Sequence, residues 1–272
     1  MLGGWMSPGL GRLAVGEPGR GQPVSRRPAP TCHLAGLAAG LTLGAKWRSG
    51  AWPRGRNTAA GPGDVPCVTP GDLTPDQLLS TTRAVRKRLD LSRPVERELL
   101  QECLDLAFQA PAGGNLQGWH FVLVTQAGRK RAIGELYRRS KRENDPASTP
   151  PEHQPSMDSS AYLAQHLHEV PVLVVPCVEG RVENAPLLQQ AVTWGSILPA
   201  TWSFMLAARA RGLGTAWTSL HLAYEQEAAT VLEIPYQQVM QVALIPVAHT
   251  IGTEFKPGPR TPSGPRVHWD RW

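Results

Sequence analysis

The sequence predicts a domain of α+β or α/β class over residues 72–272, and three observations carry that expectation. Val95, Leu99, Leu100, Cys103, Leu104, Ala107 and Phe108 recur at three- and four-residue spacing, as on a helix buried along one face. The run VPVLVVPCV at 170–178 is apolar without alternation, the pattern of a strand covered on both faces. Helical and strand-like stretches then alternate as far as residue 247, so several strands must share a sheet with helices packed on it.

Taken in order, Thr74-Pro75-Asp76 reads as an N-cap followed by proline at the first helical position. The helix it opens is expected to reach about Arg88. A second helix is expected from Ser92–Pro94 to Gln109. The segment APAGGNLQGWHF, 110–121, follows as a loop rich in glycine and amides, leading into a strand at about 120–125. A basic helix over 128–142, an irregular proline-containing stretch over 143–156 and a short helix over 159–168 precede the buried strand. Residues 185–210 are apolar all round, which calls for a central helix, and Gly195 and Pro199 should kink it. Gly212-Leu213-Gly214 stops that helix. Strands at 215–218 and 239–247 then bracket a helix at 224–232. From His249 onward little regular structure is expected, and two tryptophans among the charges suggest an arm that wraps something.

The charge is unevenly spread. The first 64 residues carry eight Arg or Lys against Glu17 and Asp64, which leaves 20 basic and 20 acidic residues in the rest. The domain is therefore neutral, and no nucleic-acid partner is expected. The apolar run 34–45 is too short for a bilayer, which needs roughly 20 residues. Arg26-Arg27 lacks the hydrophobic residues of a twin-arginine signal, so neither membrane nor export is expected. Residues 1–71 read as a disordered basic Gly/Pro/Arg-rich extension or as sequence ahead of the true start. Cys32, Cys67, Cys103 and Cys177 are scattered without a C-x-x-C, which suits a reducing cytoplasm and indicates no zinc site.

Several chemistries find no support. There is no G-x-S-x-G, Walker loop or G-x-G-x-x-G after a strand. His166 and His168 would diverge on a helix and lack a third metal ligand nearby. Asp158, His221, His249 and His268 have no pairing visible in the sequence. Four segments remain: TTRAVRKRL (81–89), APAGGNLQGWHF (110–121), GLGTAWTSLHL (212–222) and FKPGPR (255–260). Arg83, Arg86, Lys87 and Arg88 read either as a solvated face or as a phosphate clamp, since guanidinium forks match phosphate oxygens.

In this order the four segments resemble the FMN-dependent nitroreductase family, over about 81–272. The most specific match is A-P-x-G-x-N-x-Q-x-W, here Ala110 to Trp119. Where family members carry R-R-S-V-R, this chain has Thr82-Arg83-Ala84-Val85-Arg86, without the first Arg and the Ser. The resemblance implies an α+β fold whose mixed or antiparallel sheet is flanked by helices. It also implies a homodimer with exchanged C-terminal arms and two FMN sites at its interface.

The same resemblance assigns the site. Arg83, Ala84 and Arg86, with Lys256 and Arg260, would surround the FMN phosphate. Pro111, Ala112, Gly113, Asn115 and Gln117 would lie beside the ring and ribityl chain, with Trp119 packing behind them. Trp217, Thr218, Ser219 and Leu220 would lie near the reactive nitrogen. No catalytic side chain and no metal is implied, because the flavin carries the redox step. NADH or NADPH would donate a hydride, and a nitroaromatic, quinone or similar small molecule would accept the electrons in a ping-pong cycle. The alternatives are a flavin- or partner-binding protein without turnover, and a flavoenzyme of this fold that dehalogenates or breaks down flavin.

Overall fold

A computed structural model describes residues 73–146 and 148–272. The extension 1–71, with Cys32, Cys67, Arg26-Arg27 and the run 34–45, lies outside the described residues. The described helices are α1 (Pro75–Thr81), α2 (Arg97–Ala107), α3 (Ala127–Glu143), α4 (Gln154–His166), α5 (Leu187–Ala210) and α6 (Glu225–Leu232). The strands are β1 (Trp119–Val124), β2 (Val172–Glu179), β3 (Leu213–Thr215), β4 (Val239–Gln241) and β5 (Ile245–His249). They form one sheet in the order β1-β2-β5-β3, with β4 also on β2, and every pairing of these strands is antiparallel. The fold is α+β, as expected.

The continuous apolar run in β2 has a direct cause. Leu173, Val175 and Cys177 point into a core with Ile133 and Tyr137 of α3, Leu163 of α4 and Leu232 of α6. Val172 and Val174 point the other way, against Leu100 and Cys103 of α2 and Phe204 and Met205 of α5. Helices cover both faces, so alternation would have exposed no residue usefully.

Four expectations are corrected. First, α1 stops at Thr81 and does not reach Arg88. Its start is as read, with Thr74 and Gln77 forming a reciprocal capping box. Thr82 then turns extended, the Val85 N–H donates to the Thr215 carbonyl at 2.8 Å, and Leu89 bridges Thr250. Val85 is thus held by β3 and residues 88–90 by the end of β5 and the residues just after it, and the arginines there do not stand on a helix.

Second, α4 begins at Gln154, inside the stretch expected to be irregular, because Pro155 falls in the first turn where no N–H is needed. Third, β3 ends at Thr215, ahead of the predicted 215–218. Fourth, the predicted strand 239–247 is two strands. Against β2, Gln241 pairs Cys177 and Ile245 pairs Val174, so three residues (242–244) oppose two (175–176). This is a β-bulge, and it sits at Pro176, which has no N–H to give to the ladder. The long helix α5, by contrast, continues as one element through Gly195 and Pro199.

Candidate functional site

The bulge positions one of the predicted residues. Leu244, turned away from β2, exchanges both backbone hydrogen bonds with Thr218: Leu244 N–H to the Thr218 carbonyl at 2.8 Å and the reverse at 3.2 Å. The Thr218 hydroxyl also donates to the Leu244 carbonyl at 2.6 Å. Thr218 is buried and its neighbour Ser219 is exposed, so the segment passes from core to surface within one residue. Trp217 packs on the two cores that flank α5, and Leu220 packs on the third.

Beside this segment, residues 83–88 and 254–256 line a basin of about 500 Å³, with Ser159 of α4 on its wall. Arg83, Ala84, Arg86 and Lys256 are therefore brought together although Arg83 and Lys256 lie 173 positions apart. Arg83 Nη1 donates to the Lys256 carbonyl at 3.1 Å, and Arg86 Nη1 to the Ser159 hydroxyl at 3.2 Å. Gly258 shows where Arg260 joins them. A Cβ there would lie 2.7 Å from the Arg83 guanidinium and 2.9 Å from Arg260 Nη1. Two guanidiniums converge on one point, and only a residue without a side chain fits between them. Among the described residues, none of Arg83, Arg86, Lys256 and Arg260 has a carboxylate within ion-pair distance. Such a cluster repels itself unless an anion neutralises it, and the phosphate of FMN fits that demand.

Tyr137 of α3 is buried near Thr218 and Arg86; burial pushes its phenol pKa up, against the opposing influence of Thr218 and of the Arg86 charge. Neither Tyr137 nor Ser159 was signalled by the sequence, because each is a lone residue on a helix whose partner lies far along the chain.

The loop 110–117 does not line the basin. It forms a short 3-10 turn at Gly113–Asn115 seated on α5, where Gly113 N–H donates to the Ser196 hydroxyl at 3.0 Å. Gly114 and Asn115 both adopt left-handed backbone, φ 61° and 57°, which presents the Asn115 amide outward. Gln117 Nε2 donates to Asn115 Oδ1 at 2.9 Å, fixing which amide atoms remain free. Pro111 is exposed and Ala112 half-buried, while Trp119 is buried as expected. One chain thus holds two separate halves of the predicted site.

A second cleft of about 600 Å³ is lined by Glu96, Glu102, Arg211 and His249 among others. Two pairs of its lining residues meet, His249 with Glu96 at 3.2 Å and Arg211 with Glu102 at 2.9 Å. His166 likewise meets Glu169 at 3.1 Å.

A model of the nitroreductase family matches residues 79–249. The chain belongs to that family. Among curated proteins, this nitroreductase-family chain is 26% identical over 199 residues to one of Methanothermobacter thermautotrophicus named as a candidate NADH dehydrogenase/NAD(P)H nitroreductase. The match covers 72% of this chain and 86% of that one. It is 34% identical over 132 residues, 47% of this chain and 61% of the other, to a 5,6-dimethylbenzimidazole synthase of Rhodospirillum rubrum. Among solved structures, oxidised iodotyrosine deiodinase with FMN and 3-iodo-L-tyrosine matches with TM-score 0.56 and 21% identity, covering 72% of this chain and 98% of that one. The FMN- and NADPH-dependent nitroreductase NfnB of Sphigopyxis sp. strain HMH matches with TM-score 0.56 and 19% identity, covering 74% and 100%. At these identities the structures establish the shared fold.

Proposed function

We propose that this nitroreductase-family protein is an FMN-dependent oxidoreductase that takes reducing equivalents from NADH or NADPH and delivers them to a nitroaromatic, quinone or similar electron-poor small molecule. The observation that carries the reading is the pair of guanidiniums, Arg83 and Arg260, meeting at Gly258 with no carboxylate partner. What FMN supplies when bound is two-electron chemistry: a hydride accepted from NAD(P)H and passed on in a second half-reaction. The chain's own residues bind and orient. Arg83, Arg86, Lys256 and Arg260 hold the phosphate. The 217–220 segment, pinned by Thr218 to Leu244, borders the ring, and Asn115 with Gln117 offers amides to its polar edge.

The two halves meet in a homodimer. The loop 110–117 rides on α5, and α5 turns Leu187, Leu188, Val192, Leu198 and Trp202 toward solvent at 37–81% exposure. That apolar stripe suits a second copy, whose loop would then cover this chain's basin. No helix among the described residues is long and apolar enough to cross a membrane, and Cys103 and Cys177 are buried free thiols, in keeping with a reducing cytoplasm.

The test is anaerobic stopped-flow spectroscopy of the FMN-loaded protein. NADH or NADPH is expected to bleach the flavin band, and a nitroaromatic or quinone to restore it. A flavin that neither nicotinamide bleaches makes the protein a binder; one destroyed on re-oxidation by air assigns it flavin breakdown.

A further inference from the structure

Past β5 the segment keeps one more backbone hydrogen bond, Ile251 N–H to the Arg88 carbonyl at 2.8 Å, and must still deliver Lys256 and Arg260 to the basin. Two arginines do the holding: Arg88, one of the four residues of the expected phosphate clamp but not of the set the family resemblance assigns, and Arg209. Arg88 Nε donates to the Ile251 carbonyl at 2.8 Å and Arg88 Nη1 to the Glu254 carbonyl at 2.9 Å. Arg209, at the end of α5 and 5% exposed, donates Nη2 to the Thr253 carbonyl at 3.1 Å. Between them stands the ring of Phe255, with Arg88 Cζ 4.3 Å and Arg209 Cζ 4.5 Å from its centroid.

Neither arginine has a carboxylate partner among the described residues. The ring faces are the counter-charge each guanidinium has, since an aromatic quadrupole is negative at its face. The next residue along, Lys256, gives its carbonyl to Arg83, and two further on comes Gly258.

We infer that Phe255, clasped between Arg88 and Arg209, is a positioning residue. It locks the C-terminal strip so that Lys256 and Arg260 close the phosphate end of the basin, and it thereby sets the preference for a phosphorylated flavin over an unphosphorylated one. The inference rests on the FMN reading above and deepens it. Ring removal would leave two facing cations without the charge distribution between them, and the strip would lose its fixed approach to Arg83. Volume alone would not restore it. Burial of Arg209, reinforced by the neighbouring charge of Arg88, already lowers its pKa, which shows how little else there compensates the charge. Its Nε, buried without a protein partner, points to the same conclusion.

The experiment is calorimetric titration of the full-length apoprotein with FMN and with riboflavin, for the unaltered chain, Phe255→Tyr and Phe255→Leu. The unaltered chain and Phe255→Tyr are expected to prefer FMN to a similar degree. Phe255→Leu, apolar and bulky but without a π face, is expected to lose about tenfold or more of that preference, the effect of one charge-assisted contact. Riboflavin affinity should change little in all three. A Phe255→Leu chain with the preference intact, or one weakened equally for both flavins, overturns the inference. Should that chain not fold, Arg88→Lys, which keeps a cation but loses the fork on residues 251 and 254, decides it by the same ratio. An unaltered chain that binds both flavins equally overturns the phosphate reading itself, and this inference with it.

Discussion

His221 is fully buried in the short 3-10 turn that follows the 217–220 segment, and neither ring nitrogen has a protein partner. Burial alone pushes its pKa down to about 4 from 6.5. The folded chain therefore holds the neutral ring and binds the proton less tightly than the unfolded chain does. That contribution to stability is complete above pH 6.5 and is lost as pH falls from there toward 4. Between pH 7.5 and pH 5 the loss should be roughly 2 kcal/mol from this residue. Urea denaturation at the two pH values should show it, and His221→Leu should lack most of the difference; an equal pH dependence in both would assign the acid sensitivity elsewhere. Nothing in the sequence marked this histidine, because isolation is a property of the packed surroundings. The basic residues were different. Arg83 and Arg86 stood out with Lys87 and Arg88 as types that suit phosphate, Lys256 and Arg260 entered only through the family resemblance, and what the sequence did not show is that Arg83 and Arg260 converge at Gly258.

At the scale of elements, legibility followed periodicity. The helices α2, α3 and α5 and the strand β2 fell close to their expected positions because each shows its burial pattern within itself. The misreadings came where distant strands competed: β3 and the end of β5 hold the stretch 82–88 that was expected to extend α1, and Pro176 in β2 split 239–247 by a bulge. The seat of the loop 110–117 on α5 is another such contact, and it turns on Gly113. A Cβ there would stand 2.6 Å from Val192 Cγ1, inside van der Waals contact. Gly113→Ala should push the turn off the helix and cost about 1–3 kcal/mol, as overpacking typically does. Val192→Ala removes the opposing methyls, so the double variant should recover much of that loss. A double-mutant cycle by chemical denaturation measures the coupling. Additive effects would show that the loop is not seated on Val192.

For the molecule as a whole, the unresolved energetic question is its apolar exterior. Trp269 and Trp272 are 84% and 100% exposed, and α5 shows its apolar stripe on the same single chain. An aromatic side chain removes about 150–250 Å² from water when buried, so an arm ending in two tryptophans is strongly driven to find a surface. The four prolines between 257 and 265 prevent it from coiling into a helix of its own. Where to cut is dictated by the sheet. Removal of everything after Val247 would strip His249, which pairs Leu213, and Thr250, which bridges Leu89, so the β3 edge would fail for reasons unrelated to dimerisation. Truncation after Thr261 keeps β5, the Arg88–Phe255–Arg209 clasp and Arg260, and removes both tryptophans. If the arm embraces a second copy, that chain should fold, scatter light as a monomer, and lose about tenfold or more in affinity for riboflavin and FMN alike. The loss would be common to both because, in the proposed dimer, the partner's loop 110–117 would serve the ring and the basic cluster the phosphate. A truncated chain that remains dimeric with undiminished affinity would place the dimer contact wholly on α5 and leave the arm without that role.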